Sequence, residues 1–482
     1  MDTGSGRRIG KRGTKVCIHC LLDDVSADAR PGIRAVPASV DTVKDEVLRG
    51  DPRLRQQQWL RIGGTCVAAA VTVIFAAGAG AGPVGATSHS ATQRRASGDG
   101  SGVRNAPALV TSARKVAAAL AVVQSPEAAL ASTLSPAQLA GQRVIYSYSG
   151  FTPPSALLKL IRHGEVGGVI FFSSNFENAA QFTAAVAKLV ANNSLAQNPA
   201  HNFPLLLMVD QEGGEVRRLP GAPVDSEKTI GSLPTPAQRA AAATAAGTGA
   251  GQNLLSFGLN VNLAPVLDVY RKAGDFDDQF QRSYSMNPVT VSRLGSLFIK
   301  AQQAVGVAAT AKHFPGLGAA TASQNTDKVP VTITLSKATL QSVDELPYQA
   351  AIAAGVKLVL VSWAKYPNLG SSRPAGLSSV IVQGQLRRRL GFTGVTITDA
   401  IGAGALKSIG SIQTRSLLAA EAGMQLILSA AQTVTEGEDA LAGLEGGLTS
   451  ATLSSSTFLA TVTQILTLRS TLPDPTIGFG RA

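Results

Sequence analysis

The run Lys312-His313-Phe314-Pro315-Gly316-Leu317-Gly318 sets a basic pair and a Pro/Gly turn directly after the apolar stretch 306–311, where a buried strand has to stop. In a repeating strand-helix fold, chemistry collects at such strand ends. Two acids stand in comparable places. Asp210 opens the segment Asp210-Gln211-Glu212-Gly213-Gly214-Glu215-Val216-Arg217-Arg218, and Asp399 follows Val395-Thr396-Ile397-Thr398 and precedes the small-residue turn Ala400-Ile401-Gly402-Ala403-Gly404. A carboxylate exposed there can attack an anomeric carbon and form a covalent glycosyl intermediate, provided that a proton donor stands about 5–5.5 Å away across the bond. It can equally cap the next helix, which Asp does well. The residue by itself does not choose.

Asp210 and Arg282 suit sugar hydroxyls, one accepting and one donating, because every hydroxyl does both. Lys312 and His313 add donors. The same four residues would also serve as ion pairs lining a polar barrel mouth. Glu212 and Glu215 flank a Gly-Gly turn and read as supporting residues. His313 is the last of five histidines, which excludes any mechanism that needs a second one further along the chain.

These residues need a frame that brings distant strand ends together. Eight short β-like runs, 143–148, 168–172, 205–209, 260–265, 307–312, 357–362, 394–398 and 425–429, alternate with segments of helical composition such as 179–191, 237–257, 291–305 and 378–390. Eight strand-helix units over roughly 330 residues predict a (β/α)8 TIM-type barrel. The barrel is expected over 133–472, with a short tail at 473–482.

Composition agrees with an enzyme rich in small residues. Of the 482 residues 45% are hydrophobic and only 15% charged, with 49 Gly and 24 Pro. The net charge of +12 permits nucleic acid or anionic polymer partners. The basic residues are scattered, however, and the densest run, Arg387-Arg388-Arg389, has no interleaved aromatic platform. It reads as a solvated helix face, contact with an anionic cell-surface polymer being the alternative, and no nucleic-acid partner is expected.

The three cysteines, Cys17, Cys20 and Cys66, all lie ahead of the barrel, so no disulfide framework is expected in it. Cys17-Ile18-His19-Cys20 has the spacing of half a zinc site without a second pair, and it reads as a chance occurrence in a flexible leader. No metal or organic cofactor is expected.

Residues 1–61 show no sustained period and read as that leader. From 62 to 81 the chain carries no charge, and Arg53, Arg55 and Arg61 precede it: the basic-then-apolar order of an export signal. Small-residue cleavage sites follow at Ala79-Gly80-Ala81 and Val84-Gly85-Ala86, giving a signal or anchor segment over 62–86. The apolar span also has the length of an uncleaved membrane anchor. A signal so far from Met1 implies either a true start downstream or an N-terminal signal-anchor. Residues 87–132, rich in Ala, Ser, Gly and Arg, read as a linker with a short Ala-rich helix near 113–123. Secretion, or extracytoplasmic placement on an anchor, follows.

Seven motifs in order resemble the N-terminal barrel of glycoside hydrolase family 3, in particular its single-domain β-N-acetylhexosaminidase branch. They are Gly167-Gly168-Val169-Ile170-Phe171-Phe172, the segment 210–218, the segment 260–268, Arg282-Ser283, the segment 312–318, Glu345-Leu346-Pro347-Tyr348 and the segment 394–399. The resemblance implies Asp399 as nucleophile, with Asp210, Arg282, Lys312 and His313 binding the sugar that is cleaved. It implies a retaining β-glycosidase acting on a glycan that contains N-acetylglucosamine. Because the chain stops at Ala482, the sandwich domain that follows the barrel in many β-glucosidases of the family is not expected.

One departure bears on mechanism. In that branch the loop after the Lys-His pair reads Gly-His-Gly and then carries an Asp-x-His dyad whose histidine is the mobile acid/base. Here Leu317 replaces the first histidine, and Asn325-Thr326-Asp327 occupies the dyad's place. Asp327 becomes the candidate proton donor, given a raised pKa, or else an aspartate that closes the loop. The alternatives to a hydrolase are a cell-surface sugar-binding pseudoenzyme and a phosphorylase that uses phosphate in the second step.

Overall fold

The computed structural model describes residues 125–474. The leader, the Cys17/Cys20 pair, segment 62–86 and the Ala-rich stretch at 113–123 lie outside them. Eight strands, one on each predicted run, form the frame: β1 (Val144–Tyr146), β2 (Gly168–Phe171), β3 (Leu206–Val209), β4 (Val261–Asn262), β5 (Ala308–Phe314), β6 (Leu358–Val361), β7 (Val395–Ala400) and β8 (Leu426–Leu428). All pair in parallel with their sequence neighbours, and β1 pairs with β8, Val144 opposite Ile427, so the sheet closes into a barrel. Closure removes every sheet edge.

Period-two alternation explains why these runs are apolar throughout. Ile145, Ile170, Leu206, Met208, Val261, Leu358, Leu360, Val395, Ile397, Leu426 and Leu428 form one cluster inside the ring. Their neighbours Val144, Tyr146, Val169, Phe171, Leu207, Val209 and Val359 belong to the surrounding cluster beneath the helices. Both faces are buried, so both need hydrocarbon.

Long helices flank the ring. Pro236–Ser256 starts with Thr235 and Gln238 in a reciprocal capping box and Pro236 in the first turn. It packs closely on Pro288–Ala304, where a side chain at Gly247 would stand 2.3 Å from the Phe298 carbonyl oxygen. The last helix, Ser455–Ser470, closes the amino end of the barrel by putting Ile465 and Leu468 into the inner cluster. Arg469, fully buried beside them, donates to the carbonyl oxygens of Pro204 (2.8 Å) and Phe203 (2.8 Å) and to Gln142.

Four details differ from the sequence reading. β5 extends to Phe314 and β7 to Ala400, so His313 and Asp399, like Lys312 at the end of its predicted run, lie within strands and not just after them. Hydropathy ends where side chains turn to a polar mouth, while backbone pairing continues, as Leu267 N–H to Lys312 O at 2.7 Å shows. The predicted helix at 378–390 is a π-helix over Val380–Arg389, with Leu390 N–H reaching Gln385 O at 3.0 Å. Part of the predicted linker is the helix Pro126–Ala131, capped by Ser125 and packed on the last helix. The arginine run is not a uniform solvated face: Arg388 and Arg389 are exposed, Arg389 also pairing with Glu345, but Arg387 is half-buried and lies over the Phe392 ring.

Candidate active site

Alternation carries past the apolar layer into the mouth. In β3, Leu206 and Met208 point inward, and Asp210 has the same parity; in β7, Val395 and Ile397 do so, after which the register shifts and Ala400 joins the inner cluster beside Asp399. Lys312 shares the parity of Ala308 in β5. Side chains from alternate strands form common layers in such barrels; Lys312 and Asp210 meet directly, and Asp399, at the carboxyl end of β7, lies within electrostatic reach of His313.

Lys312 is 1% exposed and donates to Asp210 Oδ1 at 2.6 Å and Glu212 Oε1 at 2.6 Å. Burial opposes its charge, but the two carboxylates outweigh this and hold its pKa above the usual lysine value. Arg282 grips Glu212 with Nε (2.8 Å) and Nη2 (2.9 Å), and its Nη1 reaches Asp277 at 3.2 Å. Burial alone would raise the Glu212 carboxyl; Arg282 and Lys312 prevail and keep it ionised, at about 2. The network Asp210–Lys312–Glu212–Arg282–Asp277 is therefore a chain of alternating charge.

His313 continues it. Nδ1 lies 2.6 Å from Asp268 Oδ2, and Nε2 lies 3.3 Å from Arg282 Nη2. Arg282 can only donate, so Nε2 accepts and Nδ1 carries the proton. Burial and then the Arg282 charge drive the imidazole down to about 4, which leaves it neutral near pH 7. Both nitrogens are engaged, so His313 orients its neighbours. Behind it, burial raises Asp268 to about 6, and burial followed by Asp268 raises Asp277 to about 7. Asp268 also accepts the backbone N–H of Leu317, and so pins the turn after β5.

Asp399 is 8% exposed, and its Oδ1 accepts the N–H of Ala400 at 2.7 Å. It does not cap the next helical turn, Gly404–Ile409, which has Ala403 in that position. Its neighbour is held from β6's loop, where Trp363 Nε1 donates to Ala400 O at 2.8 Å. Asp399 is electrostatically coupled to His313.

Asp327 is half-buried, in the loop after β5. Its N–H donates to Asn325 Oδ1 at 2.8 Å, its carbonyl oxygen accepts from Gly404 N–H at 2.7 Å, and Thr326 O accepts from Ala405 N–H at 3.0 Å. The loop is thus docked on the segment that follows Asp399. A side chain at Gly404 would stand 2.2 Å from Lys328 O, so only glycine admits this approach. Leu317, in contrast, is buried in the apolar cluster.

Several supporting residues stand outside the site candidates read from sequence. Asn262 holds the segment after β3 by accepting from Gln211 N–H (3.0 Å) and donating to Gln211 O (3.0 Å). Glu227 accepts Val266 N–H at 2.8 Å, and burial next to Glu212 raises its carboxyl well above the ordinary range. Tyr366 donates to Gly316 O at 2.9 Å. Asp268, Asp277 and His313 bring donor atoms within 4.8 Å of one another. The Arg282 guanidinium beside them disfavours a cation there.

Residues 137–468 match the profile of the Glycosyl hydrolase family 3 N terminal domain. A fungal relative, an uncharacterized secreted glycosyl hydrolase of Arthroderma benhamiae, is 44% identical over 356 residues, 74% of this chain and 98% of that protein. This chain belongs to glycosyl hydrolase family 3. A beta-hexosaminidase of Stenotrophomonas maltophilia is 32% identical over 272 residues, 56% of this chain and 77% of that enzyme. Among solved structures, a family 3 beta-N-acetylglucosaminidase from Paenibacillus superposes with a TM-score of 0.66 at 30% identity, over 73% of this chain and 64% of that one. The beta-N-acetylhexosaminidase of Beutenbergia cavernae gives 0.63 at 29% identity, over 70% and 98%. The chain is a glycoside hydrolase acting on O-glycosyl bonds.

Proposed function

We propose that this family 3 member is an exported retaining β-glycosidase of β-N-acetylhexosaminidase type, acting by double displacement. The Asp399 carboxylate attacks the anomeric carbon while Asp327 gives its proton to the departing oxygen. A water molecule then attacks the glycosyl ester, returning its proton to Asp327 and freeing Asp399. Asp210 and Lys312, joined at 2.6 Å, orient the ring hydroxyls. Arg282 and His313, read from sequence as sugar contacts, are engaged by Glu212, Asp277 and Asp268 and act by holding that pair in place.

The observation that carries this reading is the gathering of three residues at the carboxyl rim, Lys312 bonded to Asp210, and Asp399 within electrostatic reach of His313. The N-acetylglucosamine-type substrate is supported by the relatives' names. Export is supported by the apolar segment 62–81 and the secreted fungal relative. Among the described residues no helix is long and apolar enough to cross a membrane. Fractionation with N-terminal sequencing separates a cleaved signal from an anchor.

A 2-fluoro glycoside tests the chemistry. Label on the peptide containing Asp399 is expected; turnover without label there would refute the assignment. The buried Leu317, with no histidine after it, favours one competing reading, a sugar-binding pseudoenzyme. Aryl glycosides with good leaving groups decide, since a hydrolase with a poor acid still cleaves them and a binder does not.

A further inference from the structure

The amino end of the barrel, opposite to Asp399, holds a cavity of about 390 Å³. That volume lies in the range of small-molecule sites. Arg143, just before β1, and Arg387, on the π-helix, line it together with Thr393, Gln425, Thr457 and Thr461, and no acidic residue does.

Both arginines are built in. Arg143 is 3% exposed, lies 4.3 Å from the centre of the Phe458 ring, and donates from Nε to Gln425 O (3.1 Å) and from Nη2 to Met424 O (2.8 Å). Its Nη1 has no hydrogen-bond partner among the described residues. Arg387 lies 5.0 Å from the Phe392 ring centre and donates to Phe392 O (3.0 Å), Gly394 O (2.6 Å) and Gln425 Oε1 (2.6 Å). Among the described residues neither forms an ion pair. Burial draws Arg143 down to about 9 and Arg387 to about 10, so both stay charged at neutral pH. A buried cation and a half-buried one beside one ligand-sized space, without a counter-charge among the described residues, are unfavourable alone and are relieved by an anion.

We propose that this cavity binds a small hydroxylated oxyanion, a sugar carrying a phosphate or a carboxylate, with Arg143 and Arg387 on the oxyanion and the threonine hydroxyls on the sugar. The cavity exceeds what a bare oxyanion fills, and its remaining polar lining is hydroxyl and amide.

The test is the thermal unfolding midpoint of the full chain at constant ionic strength, titrated with glucose 6-phosphate, glucuronate, inorganic phosphate or glucose. A saturable rise is expected with one of the sugar anions, roughly 5 °C at about 100 times its dissociation constant, and none with glucose. Glucose 6-phosphate and glucuronate distinguish the phosphate from the carboxylate form. Asp399→Asn should keep the response, and Arg387→Gln should lose it. Thr461→Glu, which fills the site with a fixed carboxylate on an intact helix, should lose it too and serves if Arg387→Gln does not fold. No saturable shift with any anion, an equal shift with glucose, or a shift that survives Thr461→Glu overturns the proposal. A shift with inorganic phosphate but with neither sugar anion overturns the sugar-sized ligand.

Discussion

At the carboxyl end of the barrel, Lys312 and Arg282 make four ion pairs of 2.6 to 3.2 Å with Asp210, Glu212 and Asp277. At the amino end, Arg143, Arg387 and Arg469 are held by carbonyl and amide oxygens alone. The two ends use the same kind of residue for different ends. Carbonyl partners tie strand and helix termini together and leave a cation's charge uncompensated. Carboxylate partners compensate it and fix a charged constellation that substrate hydroxyls can read.

The largest effect that separates the ends is chemical. Asp399→Asn should lower kcat by roughly 10⁴-fold or more with KM little changed, measured on aryl glycosides. A loss confined to KM would move Asp399 from nucleophile to binding residue.

Stability should divide the ends next. Lys312→Met leaves Asp210 facing Glu212 in a buried site and should cost about 3–5 kcal/mol in urea unfolding. Arg143→Met leaves only carbonyl groups short of donors and should cost about 1–3 kcal/mol. Equal losses would mean that the charge pairing at the mouth adds nothing.

The pH dependence sharpens the picture within the mouth. Asp277 is raised from 3.8 to about 7, so between those values the folded chain holds a proton that the unfolded chain has released. Stability from this group therefore falls as pH rises through that window, by up to about 1.4 kcal/mol per pH unit. Asp277→Asn removes the liability, so its stability relative to the parent should improve from pH 5 to pH 8. A constant difference would show that the carboxyl titrates normally.

The smallest expected effect concerns the docked loop. Gly404→Ala should push Lys328 and Asp327 away from the Asp399 strand and lower kcat about tenfold on substrates with poor leaving groups. Substrates with good leaving groups should hardly notice. An equal loss on both would place the damage elsewhere than in proton donation.

The frame was legible because barrel strands are apolar on both faces, so eight short runs stand out between helical segments, although a helix start such as Asn287 before Pro288 was passed over by the reading of 291–305. Asp210, Lys312 and Asp399 were legible as polar residues at the ends of those runs. Asp268 was legible only as the end of the 260–268 motif and Asp277 not at all, because their roles depend on His313 and Arg282: Asp268 meets an imidazole 45 positions away. Arg387 misled for the opposite reason. Its neighbours in sequence are charged, whereas what buries it is Phe392, in the loop past the helix, and Gln425, at the foot of β8.

The ring is sealed by its most distant partners, β1 against β8, and its underside is plugged by the helix that follows them. A ribosome that has delivered β7 has delivered every group assigned to catalysis but only an open sheet. Arg469, which clasps the carbonyls of Phe203 and Pro204, emerges later still. The residues that lock the barrel's amino end are thus made after every group of its proposed chemistry.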